Sequence, residues 1–142
     1  MSTKAGLWID HQKATIVYLE EQQESTRVIE SQVEPRIRVT GGSRSVTPYG
    51  PQESAAERKR DERRKHQLEA YYAQVIDALR QCEEVYVFGP GAAKGELKKA
   101  MERARDLHLR LVAVEPADKM TPQQIAAKVR AFFGKERRLR RR

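Results

Sequence analysis

The alternation of strand and helix patterns in the second half of the chain constrains its fold most strongly. A continuous apolar run, Val85-Tyr86-Val87-Phe88, ends at a Gly-Pro-Gly turn, which is typical of a short strand buried in the middle of a sheet. A helical pattern follows, then a second buried run at residues 109–114, then another helical pattern. Since strands that alternate with helices form parallel crossover units, this half predicts a parallel sheet covered by helices.

The first 33 residues predict three antiparallel strands. Apolar runs at 5–9 and 14–19 are separated by Asp10-His11-Gln12-Lys13, which suits a hairpin turn, and residues 25–33 form a third strand pattern. Trp8 alternates with Leu7, so we expect it to pack in the core. The whole chain therefore predicts an α/β fold, a ribonuclease-H-like mixed sheet of order β-β-β-α-β-α-β-α with helices on its faces.

The three helices differ in how much apolar surface they offer. The first should span residues 54–81, with a buried stripe in its second half only, so its first half should be a solvated stalk. The last should begin at Thr121-Pro122-Gln123-Gln124, where threonine is the cap and Gln124 occupies the capping-box position, and should end at Gly134. The predicted stripe of the first helix is Leu68, Tyr72, Val75, Ile76 and Leu79.

Length and composition predict one domain at residues 1–135, a long exposed loop at 36–54 and a disordered basic tail at 136–142. The single cysteine, Cys82, excludes a disulfide framework and is expected in the core. No run is apolar enough for a membrane span or a leader peptide. We therefore expect a soluble, cytoplasmic protein without a membrane partner, and no motif calls for a cofactor or a metal.

Charge is distributed unevenly along the chain. The net charge is +8, from 28 Lys and Arg against 20 Asp and Glu. Residues 1–35 carry an excess of acids, whereas the excess of cations lies in the long loop, in the first half of the first helix and in the tail. Such asymmetry favours an anionic partner, most often nucleic acid, although it also suits a solubilising surface.

Within this basic region, Gly41 and Gly42 form a paired-glycine loop that runs into the cationic helix. Glycine permits close approach to another backbone, and the cations suit phosphates, so the pattern predicts a protein that reaches into structured RNA or the ribosome. Few aromatic residues are available for base stacking. The candidate RNA-binding residues are Gly41, Gly42, Ser43 and Arg44 of the loop, Arg58, Lys59, Arg60, Arg63, Arg64 and Lys65 of the helix, and Arg137, Arg138, Arg140, Arg141 and Arg142 of the tail.

With this order of elements, the sequence resembles the middle domain of the class I release factors of eukaryotes and archaea and the related domain of the Pelota ribosome-rescue factors. The resemblance covers residues 5–133 and is carried by Gly41-Gly42-Ser43, the basic helix, Tyr71-Tyr72-Ala73-Gln74-Val75, and the strand and turn at 85–91 with Lys94 and Leu97. It implies a translation-related protein, similar to small bacterial proteins that look like a stand-alone version of the domain.

The sequence departs from the release factors at the loop motif. There the motif is Gly-Gly-Gln, whose glutamine helps to place the reacting groups during hydrolysis of peptidyl-tRNA, and here the third position is Ser43. Serine lacks the amide, so we expect binding to the ribosome without catalysis, in a rescue, hibernation or stress role. Two alternatives remain: a peptidyl-tRNA ester hydrolase acting through Gly41-Gly42-Ser43, and a protein interaction module.

Other chemistry has less support from the residue pattern. A two-metal nuclease would need clustered carboxylates. Asp10 is one candidate, but the central strand at 85–88 carries no acid, so Asp10 is expected to be a turn residue. The segment from Gly89 to Gly95 could cradle a phosphate, but it does not match the Walker pattern and suits a structural turn better.

Overall fold

The computed structural model describes residues 3–33 and 55–140, with side chains as far as Gly134. Within these ranges the order of elements is the one that the sequence predicts. The strands are β1 (Lys4–Ile9), β2 (Lys13–Leu19), β3 (Glu24–Glu30), β4 (Glu84–Gly89) and β5 (Arg110–Pro116). The helices are α1 (Ala55–Leu79), α2 (Ala93–Arg103) and α3 (Pro122–Arg140).

The strands form one mixed sheet of order β3-β2-β1-β4-β5. β1 pairs antiparallel with β2, and β2 with β3, whereas β1–β4 and β4–β5 are parallel pairs. This order and these directions are those of the ribonuclease-H-like layout, so the predicted fold class is confirmed. The prediction that the third strand extends to residue 33 is wrong, since β3 ends at Glu30. The amide of Ser31, the next residue, donates to the Gln12 carbonyl in the turn between β1 and β2.

Helices cover both faces of the sheet. Along β1, Leu7 points to the face covered by α1 and α2, whereas Trp8 points to the face covered by α3. The same alternation in β4 sends Val87 to the first face and Phe88 to the second. Because successive strand residues point to opposite faces, these continuous apolar runs supply both cores at once. The expected packing role of Trp8 is confirmed, and its indole Nε1 also donates to the Asp118 carbonyl at 3.0 Å.

Two glycines allow close approach between elements. At Gly6, a Cβ atom would overlap the side chain of Val129, so the absence of a side chain lets α3 lie close to β1. At Gly89, where φ is +155°, a Cβ would overlap the Ile9 carbonyl oxygen of the neighbouring strand. The central pair of parallel strands therefore depends on glycine at the point where β4 turns towards α2.

α3 begins as the sequence predicts and ends later. The Thr121 amide donates to Gln124 Oε1 at 2.9 Å, and the Gln124 amide donates to Thr121 Oγ1 at 3.2 Å, which together form a reciprocal capping box. The predicted end at Gly134 is wrong, since α3 continues to Arg140. A glycine costs only about 1 kcal/mol inside a helix, and the Lys, Glu, Arg and Leu residues that follow are good helix formers.

Candidate nucleic-acid interface

α1 divides into a packed half and an exposed half. Tyr71, Tyr72, Val75, Ile76 and Leu79 are buried, as the periodicity predicts for all of them except Tyr71. Residues 55–63 are exposed at every position, because the only apolar side chains there are two alanines. We call residues 55–66 the stalk. The 12 residues of the stalk form a cationic helical segment about 18 Å long, exposed at every position except Arg64.

The stalk carries six cations and three acids. Five of the six cationic side chains are exposed, and the sixth, Arg64, is half-buried. At about 100° per residue, they divide into two groups around the helix. The group more than about 120° from Tyr72, here called the outer face, is Lys59, Arg60 and Arg63. The group within about 80° of Tyr72 is Arg58, Arg64 and Lys65.

Hydrogen bonds from tyrosines hold α1 to the body. The Tyr71 hydroxyl donates to the Asp10 carbonyl at 3.0 Å, in the turn between β1 and β2. The Tyr72 hydroxyl donates to Glu96 Oε1 of α2 at 2.7 Å, and His11 Nε2 lies 3.1 Å from the same oxygen. The hairpin turn, α1 and α2 therefore meet at one carboxylate.

These tyrosines remain hydrogen-bond donors at physiological pH. Burial, and then the negative charge of Asp10, raise the pKa of Tyr71 far above its ordinary value. Burial and the hydrogen bond to Glu96 raise the pKa of Tyr72 similarly. Sequence reasoning missed the polar roles of Tyr71, His11 and Glu96; the only signal was the Tyr-Tyr pair within the segment that resembles the release factors.

The predicted loop tip, Gly41-Gly42-Ser43-Arg44, lies outside the described residues. The described chain reaches Val33 beside a polar cavity of about 520 Å³, which Lys13, Glu30 and Arg64 also line. Gln32, next to Val33, has a φ of +53°. Val33, the last residue described before the tip, therefore lies near Arg64 of the stalk.

The basic tail lies at the other end of the sequence. The backbone of Arg137, Arg138 and Arg140 belongs to α3, and Arg141 and Arg142 are outside the described residues. The role of these five arginines in RNA binding stays a prediction.

Asp10, the candidate nuclease carboxylate, has a structural role, and so has Glu115 on the edge strand β5. Asp10 Oδ1 accepts hydrogen bonds from the amides of Gln12 and Lys13, both at 2.8 Å, which confirms its role in the turn. Glu115 of β5 accepts a 2.6 Å hydrogen bond from the Tyr86 hydroxyl. Across residues 3–33 and 55–134, no group of three His, Cys, Asp or Glu side chains could hold a metal ion.

The remaining candidates are structural. Lys94 Nζ donates to the Gly91 carbonyl at 2.6 Å, so this lysine closes the turn after β4. Cys82 is buried, and burial raises the pKa of its thiol to about 11, as suits a core residue rather than a nucleophile.

None of the helices in the described ranges is both long and apolar enough to cross a membrane.

Comparisons with known proteins give similarities of structure only. No family model matches the sequence, and no curated protein is significantly similar to it. The Pelota protein of Thermoplasma acidophilum is 14% identical with a TM-score of 0.49, over 92% of this chain and 32% of that one. The archaeal translation termination factor aRF1 is 15% identical with a TM-score of 0.46, over 98% of this chain and 41% of that one.

A Ppx/GppA phosphatase of Aquifex aeolicus is also similar, at 16% identity and a TM-score of 0.34, over 83% of this chain and 36% of that one. The chain thus spans less than half the length of each of these proteins. Likeness at these identities and TM-scores does not assign a function by itself.

Proposed function

We propose that the protein binds structured RNA of the translation machinery, most directly the ribosome, without catalysing a reaction. The observation that carries the proposal is the stalk, a helical segment with six cations against three acids whose residues 55–63 are exposed at every position. A rigid rod with dispersed cations matches the regular phosphates of an RNA helix, which proteins recognise by shape and backbone contacts. The resemblance of the sequence to release-factor middle domains supports a ribosomal RNA over other polyanions.

Within the stalk, the outer face is the stronger candidate for phosphate contact. For Lys59, Arg60 and Arg63, no ion pair is present within the described part of the chain. Exposed cations that are not already paired can neutralise phosphates and so release the counterions condensed on RNA, which supplies a large share of the affinity. By contrast, Arg64 and Lys65 turn towards α2 and line a groove there.

The loop and the tail have secondary roles in this proposal. Gly41 to Arg44 would probe a narrow RNA site, and the five arginines from Arg137 onward would add phosphate contacts. The packed half of α1 supports the role of the loop, because its tyrosine hydrogen bonds fix the stalk beside Val33, the last residue described before the loop. We propose a cytoplasmic factor that acts in rescue, hibernation or stress.

The experiment compares two triple variants that have equal charge. One carries Lys59→Gln, Arg60→Gln and Arg63→Gln; the other replaces the exposed cations Arg105, Arg110 and Lys119 with glutamine. Each triple variant has a net charge of +5 in place of +8. Because each phosphate contact contributes about 0.7–0.9 to the slope of log affinity against log salt, the stalk variant should lose about 2–3 units of slope for ribosome binding. The control variant should lose much less; equal losses would refute a specific role of the stalk.

A further inference from the structure

A groove of about 670 Å³ lies between α1 and α2. On the α1 side its floor is formed by Leu68, Tyr72 and Ile76, and on the α2 side by Ala100 and Ala104. Since alanine is small, the α2 side leaves room for side chains of a third element. Lining residues of α1 run from Asp61 to Asp77, a length of about 24 Å or more than four helical turns.

The charges along the groove are not all available to a partner. Asp77 is held by Arg80 at 2.8 Å, and Glu96 is held by Tyr72 and His11. Arg80 makes a second ion pair with Asp106, also at 2.8 Å.

Three cations on the groove walls have no such partners. Lys65, Lys99 and Arg103 make no ion pair with any residue that the structure describes. Two of them, Lys99 and Arg103, lie one helical turn apart on α2 and form a positive wall. Asp61 and Glu69 are the other acids at the groove. The surface left for a partner is therefore apolar in the middle and cationic along the α2 side.

This combination suits a protein helix better than RNA. Tyr72 is only 5% exposed and its ring packs against Tyr71, with 5.3 Å between ring centroids, so it offers no open face to a base. The apolar floor of Leu68, Ile76 and Ala100 offers no contact to phosphates, whereas it suits the apolar face of a helix. A second copy of the chain is also disfavoured, because it would bring another net charge of +8 to a surface with unpaired cations.

We propose that the groove between α1 and α2 is a docking site for an acidic amphipathic helix of a partner protein. Apolar residues at i, i+3 or i+4, and i+7 of that helix enter the groove over Leu68 and Ala100, as in other helix-in-groove complexes. Its flanking carboxylates meet Lys65, Lys99 and Arg103. The outer face of the stalk stays open, so the protein can hold RNA and a partner protein on opposite sides of one helix.

The test uses two synthetic 18-residue helical peptides with identical leucine faces. One has glutamate at the flanking positions and the other has lysine. Fluorescence anisotropy with the full-length chain measures the affinity of each at low salt. We expect the glutamate peptide to bind at least tenfold more tightly than the lysine peptide. The double variant Lys99→Glu with Arg103→Glu should weaken binding of the glutamate peptide about tenfold, because it turns two attractive surface charge pairs into repulsive ones.

Two controls separate the groove from general charge. The double variant Arg105→Glu with Arg110→Glu makes the same change of charge at exposed positions outside the groove. It should leave the affinity for the glutamate peptide unchanged. Leu68→Asn leaves the charge unchanged and should weaken binding of the glutamate peptide. Far-UV circular dichroism checks that this variant is folded.

Several results would overturn the proposal. These are failure of the glutamate peptide to bind, equal binding of both peptides, or equal effects of the two double variants. A dimer in sedimentation equilibrium that dissociates on Leu68→Asn would show that the occupant is a second copy. Weaker ribosome binding for Lys99→Glu with Arg103→Glu, beyond the effect of the control pair, would show that it is RNA.

Discussion

Replacing Gly6 with alanine tests how closely α3 packs on the sheet. The added Cβ would overlap the side chain of Val129, which is fully buried. Forcing an extra methyl group into a packed core costs about 1–3 kcal/mol. The glycine adopts an ordinary strand conformation, so the lower entropy of the unfolded alanine chain returns about 0.4–1 kcal/mol. The expected loss of stability is therefore about 1–2 kcal/mol.

A double-mutant cycle identifies the contact. Val129→Ala alone removes two buried methyl groups and should cost about 2–3 kcal/mol. In the double variant the methyl group at position 6 occupies part of the vacated space, so the loss should be smaller than the sum by about 1–2 kcal/mol. Urea unfolding followed by circular dichroism gives each free energy of unfolding. Gly95→Ala, in open space on α2, is the matched control and should stabilise by about 0.5–1 kcal/mol. Strict additivity, or a Gly6→Ala protein as stable as the parent, would refute the packing argument.

Three further results concern the buried polar groups. Tyr72→Phe should lower the free energy of unfolding by about 1 kcal/mol, because it removes the hydrogen bond to half-exposed Glu96; an unchanged urea midpoint would contradict this. Above pH 10, stability should fall by up to about 1.4 kcal/mol per pH unit for each of Tyr71, Tyr72 and Tyr86. The raised pKa values favour the neutral folded form, so their contribution is constant below pH 10 and is lost as the unfolded hydroxyls ionise; a flat urea midpoint between pH 9 and 11 would contradict it. Iodoacetamide at pH 8 should modify Cys82 far more slowly in the folded protein than in urea, since burial raises its thiol pKa to about 11; equal rates would place this cysteine at the surface.

The sequence contained enough information for the topology and most of the core. Apolar runs such as Val85-Tyr86-Val87-Phe88 fill both faces of a sheet, so their order among helical patterns predicted the crossovers. The Thr121 and Gln124 capping box marked the start of α3 because its hydrogen bonds are local. The end of α3 was missed because Gly134 is a weaker helix breaker than the pattern suggested.

The cluster of His11, Tyr72 and Glu96 could not be predicted from sequence patterns. These residues are separated by more than twenty positions and come from a turn and two helices. Only the parallel pairing of β1 and β4 brings the turn after β1 and the start of α2 to the same edge of the sheet. Likewise, the basic run predicted a cationic stalk, but only the packing of Tyr72 shows which of its cations turn towards α2 and which face away.

Ribosome binding by the purified full-length protein across a salt series tests the central claim most directly. Co-sedimentation at 50 to 500 mM potassium chloride should fall steeply with salt, and it should be lost after ribonuclease treatment of the ribosomes. Removal of residues 136–142 should make ribosome binding depend less steeply on salt, since five arginines are deleted with one glutamate. Absence of co-sedimentation at every salt concentration, with free structured RNA also unbound, would contradict the account.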